Sequence, residues 1–250
     1  MLAHAQPSVM HERSGAQQRA FNPYSENGGT ILAVSSRDFA VVASDTRQSE
    51  GYSIQSRYQP RVFALTDETV MATQGFMADS NTLVKKLRQR LEWYFHTHQK
   101  YPDLTAIARL VQTMLYGKRF FPYYSYVILG GIDRDGTGAV YSFDPVGSYE
   151  RESCRSAGAA QSLVQPFLDN QVMGKNQNLP KGESILDEEG RSNLPLERVL
   201  GLVVDSFTGA TERHIEVGDG LEMYVLKVVS REGGKNKVEL DIVRRDLKRD

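Results

Sequence analysis

The most constraining feature of the sequence is the order in which short apolar runs and longer amphipathic segments follow one another. Apolar runs of strand length come first, at residues 30–34, 39–43, 62–65 and 69–73. Leucine and aromatic residues then recur every three or four positions, which predicts a helix capped by Asp79 or Ser80 and a second helix capped by Asp103. The chain thus begins with strands and continues with a pair of helices.

The second half of the chain repeats this order. Strands are predicted at residues 123–132, 138–143 and 149–155, helices at 159–172 and 196–208, and a closing hairpin at 221–229 and 237–243. Short hairpin connections favour antiparallel sheets, and helices that occur in pairs favour layers outside those sheets. The sequence therefore predicts an α+β fold, a four-layer αββα sandwich with two antiparallel sheets between helix layers.

The domain organisation follows from where the hydrophobic pattern holds and where it fails. Residues 1–28 are polar and irregular, which predicts an N-terminal extension that is disordered or lies across a surface. Residues 29–250 contain neither an internal repeat nor an interdomain linker, so we predict one domain. Within it, residues 174–195 are rich in Asn, Gly, Pro and charge, which indicates a surface insertion.

Composition excludes several classes of function. The 250 residues include 30 Lys and Arg against 31 Asp and Glu, so no basic excess favours nucleic acid or an anionic membrane as a partner. No apolar run approaches the roughly 20 residues that a membrane-spanning helix needs. The single cysteine, Cys154, excludes an internal disulfide, and we expect a cytosolic or nuclear protein. The aromatic cluster at residues 120–126 lacks interleaved basic residues, which favours core or interface over base stacking.

No motif in the sequence predicts a metal or a cofactor. The glycine-rich residues 130–138 lie between two predicted strands, so we interpret them as a hairpin and not as a phosphate-binding loop. His96 and His98 point in different directions on a helix and have no third ligand nearby. Asp133 and Asp135 have the spacing of a calcium loop, but the acidic residue required downstream is missing.

Several strings resemble the β subunits of the eukaryotic 20S proteasome. The first are residues 28–34 (GGTILAV) and 39–47 (FAVVASDTR). More specific strings, similar to the beta-6 type within that family, are 119–124 (RFFPYY), 141–149 (YSFDPVGSY), 168–172 (LDNQV) and 210–220 (ATERHIEVGDG). The resemblance spans residues 21–250 and implies the N-terminal-nucleophile hydrolase fold, which is the same αββα sandwich.

The resemblance also implies that this chain lacks the family's catalytic site. Active members use an N-terminal threonine freed from a propeptide, with a lysine, an aspartate, a serine and a second aspartate around it. The corresponding positions here are Gly29 for the nucleophile, Arg61 for the lysine, Asp45 for the first aspartate, Ala159 for the serine and His214 for the second aspartate. Asp45 is the one family residue retained among them, which implies an inactive member.

Two alternatives stay open. Thr30 also follows a glycine, and an active threonine peptidase would use it as its nucleophile. However, using Thr30 shifts the strand by one residue, which sends the side chain to the opposite face and away from Asp45. The other alternative is a stand-alone binding protein on the same fold.

The partners are also implied by the resemblance. It implies a structural place in a seven-membered β ring, against the opposing β ring and the α subunits, in ubiquitin-dependent protein degradation in cytoplasm and nucleus. It further implies that Asp144 lends its carboxylate to the substrate pocket of a neighbouring chymotrypsin-like subunit. Pro145 favours an extended Asp144, although Asp144 capping the turn at residues 146–147 is the simpler interpretation. Residues 1–28 resemble a propeptide, which we expect an active neighbour to trim.

Overall fold

Two antiparallel five-stranded sheets lie face to face at the centre of the computed structural model, which describes residues 21–178, 184–232 and 235–250. The first sheet has the strand order β10-β1-β2-β11-β12 and the second has the order β5-β6-β7-β8-β9. The first sheet comprises β1 (Thr30–Ser35), β2 (Phe39–Asp45), β10 (Cys154–Gly158), β11 (Gly220–Glu232) and β12 (Lys235–Asp246). The second comprises β5 (Val62–Thr66), β6 (Thr69–Gly75), β7 (Ser125–Ile132), β8 (Gly138–Phe143) and β9 (Tyr149–Glu152).

Two helix layers cover the outer faces of these sheets. Helices α1 (Met77–His98) and α2 (Leu104–Tyr116) pack on the second sheet, whereas α3 (Gln161–Gln171) and α4 (Leu196–Arg213) pack on the first. Strand β1 shows why the runs are apolar without alternation, because Ile31 and Ala33 face the other sheet while Leu32 and Val34 face the helices. The predicted αββα sandwich is confirmed.

Two features of the strands differ from the sequence prediction. A small sheet of β3 (Gln48–Glu50) and β4 (Ser53–Ser56) was not expected, because its polar residues carry no hydrophobic alternation. The single strand predicted at residues 149–155 is wrong, since β9 and β10 belong to different sheets. Ser153 lies between them, where the chain crosses from one sheet to the other.

The helix ends also differ from the prediction. Helix α1 begins at Met77, ahead of Asp79, and its first N–H donates to the side-chain Oδ1 of Asn27 at 2.9 Å. The Asp79 carboxylate instead accepts the backbone N–H of Tyr124 at 2.9 Å. Asp103 does occupy the position before α2, but its carboxylate pairs with Arg134 at 2.5 Å and leaves the helix uncapped by a side chain.

The two segments predicted to be irregular, residues 1–28 and 174–195, contain buried and hydrogen-bonded residues where the structure describes them. Residues 21–28 lead directly into β1, and Asn27 and Gly28 are buried, so packed structure begins before Gly29. Within residues 174–195, the buried Ser192 accepts a hydrogen bond from Ser36 at 2.6 Å through its carbonyl oxygen. Residues 1–20 and 179–183, on which the rest of both predictions falls, lie outside the described residues.

Candidate functional site

The candidate site lies at the start of β1, where four of the five positions named from the resemblance meet. Gly29 precedes the strand, and its carbonyl oxygen accepts the N–H of Ala159 at 3.0 Å. The N–H of Gly29 donates to the carbonyl oxygen of Glu216 at 3.2 Å. Both polar groups of this residue are therefore used by neighbouring backbone, one on each side of the strand.

The guanidinium of Arg61 fills the centre of the site. Arg61 lies just before β5, and its side chain is fully buried together with that of Asp45. Nη1 is 3.6 Å from Asp45 Oδ1 and donates to the Asp45 carbonyl oxygen at 3.2 Å. Nη2 donates to the carbonyl oxygens of Asn27 and Gly28, both at 3.2 Å, and also to that of Arg47. Arg61 thus ties the backbone of residues 27–28 to that of residues 45–47 through four carbonyl oxygens.

The absence of a side chain at Gly29 is what makes room for Arg61. A Cβ atom placed on Gly29 would lie 2.1 Å from Arg61 Cζ, which is far inside van der Waals contact. Gly29 also has φ +77°, a backbone conformation that a β-branched residue rarely adopts. The space that a nucleophile's side chain would need at this position is occupied by the arginine.

Asp45, at the end of β2, is saturated by backbone donors. Its Oδ1 accepts the N–H of Thr30 at 2.8 Å, and its Oδ2 accepts the N–H of Gly218 at 3.2 Å. Burial raises the pKa of Asp45 to about 6, although the charge of Arg61 and both backbone bonds act in the opposite direction. Burial likewise lowers the pKa of Arg61 from its ordinary value. The carboxylate works as a structural acceptor for the start of β1 and for the loop that contains Gly218.

Thr30, the alternative nucleophile, contacts Asp45 through its backbone and α3 through its hydroxyl. The residue is fully buried, and its Oγ1 accepts the N–H of Ala160 at 2.9 Å. Ala160 is the residue before α3, so the hydroxyl takes up one of the free N–H groups at that helix end. Its side chain therefore has the role of a helix cap.

His214 is the one named position that does not join the cluster directly. It is half-buried at the end of α4, where its Nδ1 accepts the N–H of Glu216 at 3.3 Å. Its link to Gly29 runs through Glu216, whose carbonyl oxygen binds the Gly29 N–H. The structure therefore brings Gly29, Asp45, Arg61 and Ala159 into contact. His214 is connected to this cluster through Glu216.

The sequence did not single out the buried ion pair that supports this cluster. Arg47 Nε donates to Asp219 Oδ2 at 2.7 Å, and both side chains are almost fully buried. Asp219 has φ +70° and follows Gly218, which binds Asp45, so this pair fixes the loop that supplies the Gly218 N–H. Arg57 binds the other oxygen of Asp219 at 2.5 Å. The available signal was the sequence Gly218-Asp219-Gly220, which leads into strand β11.

Asp144 lies in the turn between β8 and β9, where it acts as a cap. Its Oδ1 accepts the N–H groups of Val146 at 3.0 Å and Ser148 at 2.8 Å, which is the simpler of the two interpretations. The half-buried residue also lines a cavity of about 260 Å³ together with Tyr126 and Gln161. Its contribution to a neighbour's substrate pocket stays a prediction.

The remaining candidates have structural surroundings. Residues 130–138 form the β7–β8 hairpin as predicted, and Asp135 Oδ1 accepts the N–H of Thr137 at 2.9 Å within its turn. His96 is exposed, and in the described part of the chain no three His, Cys, Asp or Glu side chains group as metal ligands. Cys154 is buried, which raises the pKa of its thiol to about 12. No described helix is both long and apolar enough to cross a membrane.

Comparison with known proteins assigns this chain to one family. A family model described as proteasome subunit matches residues 25–226. Proteasome subunit beta type-6 of Saccharomyces cerevisiae is 54% identical over 84% of this chain and 87% of its own length. The probable proteasome subunit beta type-6 of Schizosaccharomyces pombe is 46% identical over 88% and 96%, and proteasome subunit beta type-1 of Danio rerio is 47% identical over 90% of both chains. The resemblance noted in the sequence is confirmed, and the chain belongs to the proteasome subunit family.

Proposed function

We propose that this chain is a non-catalytic β subunit of the 20S proteasome core, which helps to close the proteolytic chamber and shapes a neighbouring active site. One observation carries the proposal, namely that the Arg61 guanidinium occupies the space beside Gly29 where a nucleophile's side chain would lie. Membership of the proteasome subunit family supports a place in the proteasome particle. The packing of Arg61 against Gly29 argues against catalysis by this chain itself.

The chemistry of an N-terminal threonine peptidase requires groups that this site does not supply. Such an enzyme needs a hydroxyl nucleophile with a base beside it, and in this family the base is the free amine of the same residue. Gly29 has no hydroxyl, and its nitrogen is a peptide N–H bound to Glu216. Arg61 stays protonated at any physiological pH, so it cannot exchange protons as a lysine does.

The alternative nucleophile, Thr30, would need large rearrangements. Cleavage of the Gly29–Thr30 bond would leave Arg61 without the packing surface of Gly29, and the Thr30 hydroxyl would have to leave Ala160. Its backbone nitrogen is already bound by Asp45 at 2.8 Å. These contacts favour an uncleaved chain at residues 29 and 30.

Labelling with a β-lactone probe that acylates N-terminal threonine tests the proposal directly. Assembled particles containing this chain would be treated with the probe, and the mass of each separated subunit measured. We expect an added mass on other subunits, which serve as an internal positive control, and none on this chain. A labelled chain whose label disappears in a Thr30→Val variant would establish Thr30 as a nucleophile and overturn the proposal.

The proposal extends to the partners that the resemblance implies. We infer that the chain sits in a seven-membered β ring between an α ring and the opposing β ring. An active neighbour then trims the N-terminal residues in trans, because among the described residues no nucleophile is placed to do so. Asn27, Gly28 and Gly29 are buried, so trimming is expected to stop upstream of Asn27.

Asp144 provides a test of the influence on a neighbouring site. The Asp144→Asn variant keeps an Oδ1 acceptor for Val146 and Ser148 but removes the charge, whereas Asp144→Ala removes both. We expect Asp144→Asn to shift the preference of chymotrypsin-like cleavage between basic and apolar peptide positions several-fold, with normal assembly. Measured peptide preferences that match the wild type in Asp144→Asn, or that change in Asp144→Ala alone, would limit Asp144 to its turn.

A further inference from the structure

The two residues before Gly29, Asn27 and Gly28, form the one Asn-Gly pair in the 250-residue sequence. An asparagine that precedes glycine readily loses its side-chain amide in an open chain, because glycine has no Cβ to shield its own backbone nitrogen. The Gly28 N–H has no hydrogen-bond acceptor among the described residues, so no protein contact occupies this nitrogen. The attacking group of such a reaction is therefore present beside the candidate site.

The reaction open to this pair is an intramolecular deamidation. The Gly28 nitrogen gives up its proton to a base in the solvent and attacks Cγ of Asn27, so an N–Cγ bond forms while the Cγ–Nδ2 bond breaks and ammonia leaves. Water then opens the resulting five-membered succinimide. Opening at Cγ gives aspartate, whereas opening at the backbone carbonyl carbon gives isoaspartate, whose main chain runs through Cγ and is one atom longer. No oxidant or reductant takes part.

The folded chain holds the Asn27 side chain in three hydrogen bonds. Its Oδ1 accepts the N–H of Met77 at 2.9 Å, and its Nδ2 donates to Gln55 Oε1 at 3.3 Å and to the Ser49 carbonyl oxygen at 3.5 Å. Asn27 is only 5% exposed, so little water reaches it. Ring closure expels Nδ2 and reorients Oδ1, which requires all three bonds to break. The fold therefore opposes the first step.

The main chain at Asn27 is fixed as well. Its N–H donates to the Gly75 carbonyl oxygen at 3.2 Å, and its own carbonyl oxygen accepts the N–H of Ser49 at 3.1 Å and Nη2 of Arg61 at 3.2 Å. In isoaspartate this carbonyl becomes a carboxylate branch and the peptide bond moves to Cγ. Deamidation at Asn27 would therefore alter an acceptor of Arg61 directly.

We propose that Asn27 is a deamidation site that the fold protects, so that the modification is confined to chains in which residues 27–28 have opened. Local opening frees the side chain from its partners and admits water, which is the one further reactant. The isoaspartate product cannot restore the peptide carbonyl that binds Arg61 and Ser49. The inference concerns this chain by itself and does not depend on the proposed function.

The rate of amide loss in folded and unfolded chain tests the protection. The tagged, full-length chain is incubated in mildly alkaline buffer, either as purified natively or unfolded in guanidinium chloride. Peptide mass spectrometry follows the mass change at Asn27, and an isoaspartyl methyltransferase detects isoaspartate. We expect amide loss at least about tenfold faster in the unfolded chain. Equal rates in the two samples, or no amide loss in the unfolded one, would overturn the proposal.

An Asn27→Gln variant tests the ring chemistry in the unfolded sample, where its effect on folding does not matter. Glutamine keeps an amide but has to close a less favourable six-membered ring. We expect the variant to lose its amide at least about tenfold more slowly than the unfolded wild type. A variant that loses it as fast as the wild type would exclude attack by the Gly28 nitrogen.

Two variants of the small β3–β4 sheet test whether the observed contacts provide the protection. Gln55→Ala removes an acceptor of Asn27 Nδ2, whereas Gln48→Ala removes the other donor to Gln55 Oε1 and leaves the bond to Asn27 in place. We expect amide loss in the native sample to be several-fold faster for Gln55→Ala than for Gln48→Ala or the wild type, with equal rates once all three are unfolded. Equal native rates in the three proteins would overturn the inference.

Discussion

At the scale of single residues, Gly29 and Arg61 behave as one complementary pair. Each explains the other, because the arginine needs the empty space and the glycine in its left-handed conformation needs no side chain. The Arg61 side chain also donates to the carbonyl oxygens of the buried residues Asn27 and Gly28. The site is therefore a packed structural centre, in which a return to catalytic residues has to disturb several contacts together.

Restoring a threonine at position 29 should therefore damage the chain. Gly29→Thr forces a Cβ into the Arg61 guanidinium and costs a further 1–3 kcal/mol, roughly, for the positive φ. We expect at least a tenfold loss of chain recovered in assembled particles. Gly51→Thr is the matched control, since Gly51 has φ +58° with open space around it. Recovery that is equal for both variants would contradict the account of Arg61.

The raised pKa of Asp45 predicts that the stability of the folded chain depends on pH. Its pKa is about 6 in the folded chain and ordinarily 3.8, so the folded chain binds this proton more tightly than the unfolded chain does. The contribution of Asp45 to the free energy of unfolding is therefore greatest below about pH 4 and decreases by up to about 3 kcal/mol as pH rises through about 6.

Urea unfolding of the wild type and of Asp45→Asn between pH 4 and 7.5 isolates this contribution. The amide cannot titrate, and the other groups contribute almost equally in both proteins, so the difference in stability between them reports Asp45. We expect the wild type to lose stability relative to Asp45→Asn as pH rises. A difference that is constant, or that changes in the opposite direction, would contradict the assignment.

At the scale of elements, sequence patterns predicted those strands and helices that have a periodic apolar face. Strands β1 and β2 and the helix pairs follow from hydrophobic runs and spacing. The strands β3 and β4 were missed because pairing there depends on tertiary contacts of a polar segment. The start of α1 was misplaced because its capping group, Asn27, is 50 residues distant along the chain and no local pattern reveals it.

Asn27 gives the prediction that belongs to this scale. Asn27→Ala removes the acceptor for the Met77 N–H and should cost about 1–2 kcal/mol at the start of α1. Asn27→Asp keeps an acceptor there and serves as the control. Hydrogen exchange of the first turn of α1, followed by mass spectrometry of peptides, should be faster in Asn27→Ala than in the control. The same exchange rate in wild type and both variants would show that Asn27 does not anchor this helix.

At the scale of the whole molecule, the order of elements was enough to predict the layered architecture. Paired helices between groups of strands leave few arrangements that bury both faces of two sheets. The candidate site was harder to predict, because the contacts of Arg61 with four carbonyl oxygens require segments that are distant along the chain. The resemblance identified the five positions of the site. The packing around Gly29 then showed that Arg61 occupies the space that a nucleophile's side chain would need.

Native mass spectrometry of the tagged chain, purified from its own cells, tests the central claim most directly. The intact assembly is weighed first, and this subunit is then ejected and its mass and N-terminus determined. We expect a particle of many different subunits, in which this chain retains Gly29 and residues before Asn27. A free monomer or small homo-oligomer would contradict a place in the particle, and a chain that begins at Thr30 would contradict its non-catalytic role.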